Sequence, residues 1–488
     1  PPHVANHVAV LEPPELVNLQ HVSRRLLSLS RDNKLWKQLC FAHSYTERRR
    51  RRLEITFTAP PADTDPRLAE LIEAANSLAD SFDITVLNPR APGAEAQLHR
   101  NKERRRAALL NSWDPSGVEE RVNWYEEFVQ RHATQQLSWF QDAGRQDEDE
   151  DHARREATGA GILYDADGLA SKLVAPLDDG SIRIWDAAAH SSSMGRSIAT
   201  SEPGLLSNRG PDLDRATRLT QSQAIMTETG AVECVSIDSV RQKAFFAVQN
   251  TLNEVDLHTL QVVSRTPYPF PVTALSEAHH TTPLTVGTNW TLHLHDTRKP
   301  APSASRVELL NTRLDTGAFG GHVSLSQPGA LSIAHLPSTL GDGNGDIWVS
   351  GRFTSLLNFD RRSFPRLRGT VHSGARISSL SVLPSPFIPP SLRQGAPAGD
   401  LRAARETGGV TLVAAGAYKG KGSLELYSLS PARAHAISSA DSRTTRNARA
   451  CYQNRQTASA TKLLAAAHHG TRIVFADGDG NLKWVERD

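Results

Sequence analysis

Three hydrophobic patterns follow one another along the chain, and each predicts a different structure. Residues 1–45 carry apolar side chains at steps of three and four, the spacing of amphipathic helices. Residues 46–156 are also helical in pattern, but they are far more highly charged. Residues 157–488 change to short apolar runs separated by Gly, Asp, Asn, Ser and Pro, as in strands joined by turns. The sequence therefore predicts an α+β multidomain protein with its helices first.

Residues 1–45 are predicted to form three short helices. Pro13-Pro14 interrupts the first apolar stripe, and proline is well tolerated in the first turn of a new helix. Ser30-Arg31-Asp32 supplies side-chain oxygens that can cap the next helix start. The apolar face that follows consists of Leu35, Trp36, Leu39 and Cys40. Three short helices of this size bury little apolar surface among themselves. An apolar stripe that they leave uncovered would therefore need a partner.

These residues resemble an F-box. The stretch VSRRLLSLSRDNKLWKQLC at residues 22–40 contains Val-Ser-Arg, Asp, Leu-Trp and Leu-Cys at the spacing of that family. Its opening is less typical, because the family's Leu-Pro-x-Glu start would put the Pro at Pro1 and the Glu at His3. The resemblance covers residues 1–45 and implies an all-α F-box. An ordinary three-helix cap on the following domain is the alternative.

The resemblance also implies a partner. F-boxes dock on a Skp-family adaptor, which connects them to a cullin, by burying apolar side chains in a groove. Trp36 is the expected anchor, because large aromatic side chains dominate interface energetics. Some docking residues must also hold the three helices together, and the sequence does not separate the two sets. Carried over by position, the docking residues are Pro1, Leu16, Leu19, Val22, Leu26, Leu35, Trp36 and Leu39.

Charge runs distinguish residues 46–156. Five consecutive arginines occupy 48–52, a second basic cluster lies at 102–106, and an acidic run spans 146–151. Basic runs can be nuclear-import signals or nucleic-acid patches. A solvated helix face and a linker are the commoner explanation, and we favour it here. The aromatic-rich residues 122–140 are predicted to be an amphipathic helix that connects the F-box to the next domain.

A hairpin pattern occurs six times in residues 157–488. Each copy has an apolar run, then turn residues, then a second strand that alternates apolar and polar positions. The apolar runs lie at 172–175, 244–248, 284–287, 347–349, 411–415 and 473–476. The second strands lie at 179–186, 250–256, 289–296, 353–360, 422–428 and 479–486. Internal repetition of one supersecondary unit indicates a repeat fold.

The repeats resemble those of WD-repeat β-propellers. One copy has the family's Trp-Asp pair, at Trp185-Asp186, and Gly321-His322 is the one Gly-His dipeptide of this zone. The resemblance implies an all-β propeller of six to seven degenerate blades over residues 157–488, with a seventh blade near 301–328. Low-complexity inserts are expected near 187–215 and 384–409. The last copy ends without an outer strand, as in a chain cut there. Another antiparallel all-β fold is the alternative.

Composition and motifs argue against several functions. The 55 Lys and Arg residues balance 53 Asp and Glu, so no whole-chain attraction to nucleic acid is expected. Cys40, Cys234 and Cys451 lie far apart, form no disulfide framework or Cys-x-x-Cys pair, and fit a reducing compartment. The absence of a long apolar run argues against a membrane span.

Catalytic and cofactor signatures are absent as well. No Gly-x-Ser-x-Gly elbow occurs. The Asp-rich segments 342–346 and 477–481 imitate the start of a calcium loop, but Ile347 and Leu482 stand where that loop needs glycine. We therefore expect turns, no metal, no cofactor and no enzymatic activity.

The two resemblances together imply a function. An F-box followed by a propeller is typical of the substrate receptor of an SCF-type cullin ubiquitin ligase, in which the propeller binds the protein targeted for ubiquitination and degradation. The location expected is cytoplasmic, nuclear or both. The alternatives are a propeller scaffold or adaptor whose F-box acts outside a ubiquitin ligase, and a propeller enzyme with an unrecognised site.

Related receptors bind phosphorylated segments through arginines on the propeller, because guanidinium pairs bidentately with phosphate. A phosphorylated substrate is therefore one hypothesis. The candidate arginines are Arg183, Arg352 and Arg472, with the cluster Arg361, Arg362, Arg366, Arg368 and Arg376.

Overall fold

The computed structural model shows helices followed by a β-propeller. It describes residues 11–58, 100, 107, 109–110, 113–117, 120–134, 138–141, 155–189, 191–206, 232–297, 322–325, 329–336, 345–385, 409–429 and 451–487. The helices named here are α1 (Pro13–Gln20), α2 (Arg24–Ser30), α3 (Asn33–His43), α4 (Tyr45–Thr58) and α5 (Trp124–His132). Within these ranges, no helix is long and apolar enough to cross a membrane.

The helix starts follow from capping side chains. Ser23 Oγ accepts a hydrogen bond from Leu26 N at the start of α2. Asp32 Oδ1 accepts from Lys34 N and Leu35 N, at 2.9 and 3.0 Å, at the start of α3. Each bond satisfies an amide that the helix itself leaves unpaired. The expected cap within Ser30-Arg31-Asp32 is thus provided by Asp32.

The helices share one core with residues far along the chain. Seven buried side chains form it: Leu16, Trp36, Cys40, Phe41, Trp113, Trp124 and Phe128. Trp113, Trp124 and Phe128 come from outside the F-box resemblance. They cover the apolar stripe of the first three helices that was expected to need a partner. We call α1–α5 together with Trp113 the helical module.

Six antiparallel sheets form the six blades found among the described residues. Blade 1 contains β1 (Gly161–Tyr164), β2 (Ala170–Pro176), β3 (Ile182–Asp186) and β4 (Ser197–Thr200). Blade 2 contains β5 (Val232–Asp238), β6 (Lys243–Val248), β7 (Thr251–Asp256) and β8 (Gln261–Pro267). Blade 3 contains β9 (Val272–Leu275), β10 (Leu284–Thr288), β11 (Thr291–His295) and β12 (His322–Ser324).

The remaining blades follow the same order. Blade 4 contains β13 (Ala330–His335), β14 (Asp346–Gly351), β15 (Ser355–Asp360) and β16 (Leu367–His372). Blade 5 contains β17 (Arg376–Leu383), β18 (Val410–Tyr418), β19 (Lys421–Leu429) and β20 (Cys451–Ser459). Blade 6 contains β21 (Leu463–His469), β22 (Arg472–Asp477) and β23 (Leu482–Glu486), one strand fewer than the others in this part of the chain.

The six predicted hairpins are confirmed as the second and third strands of the six blades. In blade 1, for example, Val174 of β2 lies opposite Ile184 of β3. The inner and outer strands were not predicted. β4 lies inside the stretch expected to be a low-complexity insert at 187–215, and pairing with β3 makes it a strand. The rest of that stretch after Leu206, and most of 384–409, lie outside the described residues.

The prediction of six to seven blades named 301–328 as the place for the seventh. The described residues of that range, 322–325, contain β12, which is the outer strand of blade 3. Residues 298–321 and 326–328 lie outside the described ranges.

Apolar clusters join each blade to the next, from blade 1 through blade 6. Val174 and Phe246 belong to the cluster between blades 1 and 2, for example, and Leu424 and Ile473 to that between blades 5 and 6. Sheet faces packed on each other in this way make the core of the propeller. No cluster of described residues joins blade 6 back to blade 1. We call this interruption of the ring the open side.

Candidate interaction surfaces

The predicted docking residues fall into two sets in the structure. Leu16 and Trp36 are fully buried in the core of the helical module, at 0% and 1% exposure. Leu19, Leu35 and Leu39 are partly buried and pack against the same core. Val22 is exposed at 68%, whereas Leu26 is half-buried. Pro1 lies outside the described residues.

Trp36 lies at the centre of the helical module. Its indole Nε1–H donates to the carbonyl oxygen of Ser30 at 2.6 Å. Its ring contacts Tyr125 and Phe128, with ring centroids 4.9 and 5.0 Å apart. The side chain therefore fastens α2 and α5 to α3, and almost none of it is accessible to another protein.

Four large apolar side chains of the described helical module are exposed: Val17 and Val22 near α1, Tyr45 at the start of α4, and Val129 on α5. Val17 on α1 is 38% exposed, and Val22 follows in the turn before α2. The arginine run at 48–52 lies on α4, where Arg50 and Arg51 bind the carboxylate of Glu47 at 2.7 and 3.0 Å. These intrahelical pairs suit the interpretation of the arginine run as a solvated helix face.

The helical module joins the propeller through a buried polar network. Both oxygens of Glu127 on α5 accept hydrogen bonds from Thr471, from its hydroxyl at 2.5 Å and from its backbone N at 3.2 Å. Arg131, one turn further along, donates to Glu127 at 2.7 Å and to Glu486 at 2.8 Å. We call Glu127, Arg131, Thr471 and Glu486 the junction.

The electrostatics of the junction favour a charged Glu127. Burial alone would raise the pKa of its carboxyl group, but the hydrogen bonds from Thr471 and Arg131 outweigh that effect and hold this pKa below its ordinary value. The sequence contains one signal for this pair: Glu127 and Arg131 have opposite charges and lie four residues apart on one helix.

Gly470 allows this close approach. Its φ of +57° lies in the left-handed region, and a Cβ atom there would be 2.1 Å from Glu127 Oε2. A side chain at position 470 would therefore displace the Glu127 carboxylate.

A second set of contacts follows α5 and reaches blade 1. The amphipathic helix expected over 122–140 ends at His132, and residues 138–141 are not helical. Gln141 N donates to the carbonyl of Gly195 at 2.6 Å, and Gln141 O accepts from Trp185 Nε1 at 3.0 Å. Phe140 packs on the edge of Trp185, with centroids 6.2 Å apart.

These contacts all lie at one face of the propeller. Thr471 lies between β21 and β22, and Gly195 lies between β3 and β4. Successive turns of an antiparallel sheet alternate between its two ends, so the turn between the second and third strands of each blade lies at the end opposite Thr471 and Gly195. We call the end that carries Thr471 and Gly195, where residues 120–134 and 138–141 attach, the arm face. We call the opposite end the far face.

The far face of blades 4–6 is basic. Exposed positive side chains lie in its turns and at adjoining strand ends: Arg352, Arg376, Lys419, Lys421 and Lys462. Tyr418 lies among them, with Arg455 Cζ 4.6 Å from its ring centre. Beneath this surface, the fully buried carboxylate of Glu425 binds Arg455 Nε at 2.8 Å and two serine hydroxyls.

The arginines singled out in the sequence do not converge on one site. Arg472 lies beside the junction, with Nε 3.9 Å from Glu127 Oε1. Arg183 bonds Thr200 within blade 1, and Arg368 binds Asp346 within blade 4. The sequence cluster is divided, since Arg361 is buried in the connection after β15 at the arm face, and Arg376 is exposed at the far face.

The turn at 477–481 has the geometry of a turn rather than of a calcium loop. Asp477 Oδ1 accepts hydrogen bonds from Asp479 N and Asn481 N, and Oδ2 accepts from Lys483 and Ser459. Within the described part of the chain, no group of three or more His, Cys, Asp or Glu side chains could hold a metal ion.

Comparison with known proteins identifies one part of the chain. Residues 1–42 match the family model described as F-box-like. No curated protein matches the sequence. A chain of the solved structure described as "Crystal Structure of Mitotic Checkpoint Complex" is similar over 67% of this chain and 76% of its own length, at 14% identity and a TM-score of 0.40. A likeness at that score carries no argument about function. The chain therefore carries an F-box-like domain at residues 1–42, followed by a β-propeller with six blades among the described residues.

Proposed function

We propose that this protein is the non-catalytic substrate receptor of an SCF-type cullin ubiquitin ligase. The observation that carries the proposal is the F-box-like match at residues 1–42. The helical module that contains these residues is joined to the propeller through Glu127 and Thr471. The F-box-like domain would bind a Skp-family adaptor and, through it, a cullin, in the cytoplasm, the nucleus or both. The propeller would bind the protein that is ubiquitinated and degraded.

The adaptor would dock on the exposed apolar side chains around α1 and α2. Val17 and Val22 are exposed, and Leu26 is half-buried beside them. Burial of such side chains in a groove is how a helical docking segment gains affinity. Leu16 and Trp36 would act indirectly, because they hold the helices that present this surface.

The substrate would bind the far face of the propeller. The helical module contacts the arm face, so a protein on the far face would not compete with it. The exposed Arg352, Arg376 and Lys419 favour an acidic partner, and a phosphorylated segment is the strongest form of that chemistry. Such a receptor accelerates ubiquitin transfer by raising the effective concentration of its substrate.

The test is binding of the 488-residue chain to a purified Skp-family adaptor, measured by isothermal titration calorimetry. We expect tight binding by the wild type and a loss of about tenfold or more for Val22→Asp, since a charge would enter an apolar contact. Val240→Asp is the matched control, because Val240 on the propeller is also 68% exposed. Absence of binding by the wild type would overturn the proposal and favour a scaffold outside the ligase.

A further inference from the structure

We infer that residues 120–134 and 138–141, here called the arm, tie the two ends of an open propeller ring together. The inference concerns the propeller itself and holds whether or not an adaptor binds the F-box-like domain. It rests on three features: the exposed walls of the open side, the junction on blade 6, and the contacts of Phe140 and Gln141 on blade 1.

Both walls of the open side expose large apolar side chains. On blade 1, Ile162 and Tyr164 of β1 are 41% and 43% exposed. On blade 6, Leu482 and Trp484 of β23 are 63% and 41% exposed. Side chains at corresponding interfaces between the other blades are buried, because a neighbouring sheet covers them. In the described part of the chain, sheet packing therefore does not hold blades 6 and 1 together.

The first half of the arm is fixed to blade 6. Thr471 donates to Glu127, and Glu486 accepts from Arg131. Arg487, directly after β23, adds a bond of 2.6 Å to Glu120. Arg131 and Arg487 are nearly buried, at 8% and 5% side-chain exposure, so these ion pairs are screened less than surface pairs.

The second half of the arm is fixed to blade 1. Three hydrogen bonds converge on Gln141: its N donates to Gly195 O, its O accepts from Trp185 Nε1, and its Oε1 accepts from Ser197 N at 3.0 Å. Because Phe140 also packs on Trp185, this end of the arm is held by both polar and apolar contacts.

The position of the arm gives it a mechanical role. Among the six described sheets, those of blades 2–5 are each packed between two neighbours, whereas those of blades 1 and 6 each pack against one. Elements with fewer packed neighbours open more readily. The arm contacts both blade 1 and blade 6 and so adds a second stabilising neighbour to each. Local opening of one of these blades should therefore make opening of the other easier.

Hydrogen–deuterium exchange of the full chain tests this coupling. One variant, Thr471→Val with Glu486→Gln, weakens the blade 6 end. A second variant, Phe140→Ala with Gln141→Ala, weakens the blade 1 end. We expect each to raise amide exchange about tenfold in both blade 1 and blade 6, and to leave blades 3 and 4 unchanged. The rise in the blade that carries no substitution is the decisive readout.

The control is Lys243→Ala, which removes the 2.5 Å ion pair with Glu254 inside blade 2 and should change exchange only near that blade. A rise confined to the substituted blade, or no rise in either, would overturn the inference. Should a double variant unfold altogether, the single Glu486→Gln change gives the same comparison with a smaller perturbation.

Discussion

Asn33 binds the main chain at the start of α5 with both ends of its side-chain amide. Its Oδ1 accepts from Trp124 N at 2.7 Å, and its Nδ2 donates to Val122 O at 2.9 Å. Asn33 is the first residue of α3 and belongs to the F-box-like match, whereas Trp124 lies far beyond it. The F-box-like domain is therefore completed by a later part of the chain, and both parts should unfold together.

Trp36 and Val22 should affect adaptor binding for different reasons. Trp36→Ala removes a fully buried indole and should lower the free energy of unfolding of the helical module by about 3–5 kcal/mol. Val22→Asp should change that free energy by less than about 0.5 kcal/mol, because Val22 is exposed. Chemical denaturation followed by tryptophan fluorescence measures both. A large loss of stability in Val22→Asp would contradict our separation of the two sets.

Cys40 should resist thiol reagents while the helical module is folded. It is buried, and burial raises the pKa of its thiol to about 12, so almost none of the reactive thiolate forms near neutral pH. Alkylation with iodoacetamide, followed by peptide mass spectrometry, should modify the half-buried Cys234 first. Trp36→Ala should then expose Cys40. Equal labelling of Cys40 and Cys234 in the wild type would contradict the buried position of Cys40.

Arg455→Ala should destabilise blade 5 strongly. It leaves the carboxylate of Glu425 buried without its cation, a change that costs about 3–5 kcal/mol. Arg368→Ala is the control, because both partners of the Arg368–Asp346 pair are about a quarter exposed, and the expected loss is under about 1 kcal/mol. Thermal unfolding of the full chain compares the two. Adding Glu425→Gln to Arg455→Ala should restore part of the loss, and no recovery would count against the charge explanation.

Glu127 should contribute to stability in a pH-dependent way. Its pKa in the folded protein lies below the ordinary value of 4.5, so its contribution is complete above pH 4.5 and is lost as the pH falls through the folded pKa. Glu127→Gln should therefore cost about 3 kcal/mol near neutral pH and progressively less below pH 4.5.

Unfolding free energies of wild type and variant across this pH range give the comparison. Glu126→Gln on the same turn of α5 is the control, since Glu126 is exposed and does not belong to the junction. A difference between wild type and Glu127→Gln that stays constant down to acidic pH would refute this account of the junction.

The sequence predicted the second and third strands of each described blade because their signal is local. Alternating apolar residues and Asp or Gly turns are visible within a dozen positions, roughly the length of one hairpin. The outer strands carry no comparable signal. The sequence of β20 is rich in Gln, Asn and Arg, and this segment is a strand because it pairs with β19 from Gly422 to Leu429.

The candidate surfaces were less predictable than the fold. The F-box motif identified the helices, but the burial of Trp36 depends on Tyr125 and Phe128, which are distant in sequence. The placement of Arg472 likewise depends on α5, because a residue within a blade strand lies beside Glu127 only once the helical module docks.

The contact between Gly470 and Glu127 leaves no room for one additional carbon atom. A natural or engineered alanine at position 470 would act as a wedge, since its methyl group would collide with the carboxylate and its left-handed φ would be strained. Such a substitution would leave the sequence of every helix and strand intact and would disturb only their attachment. Variation at this one turn would thus convert a fixed attachment into a hinge, and the propeller would swing relative to the helical module.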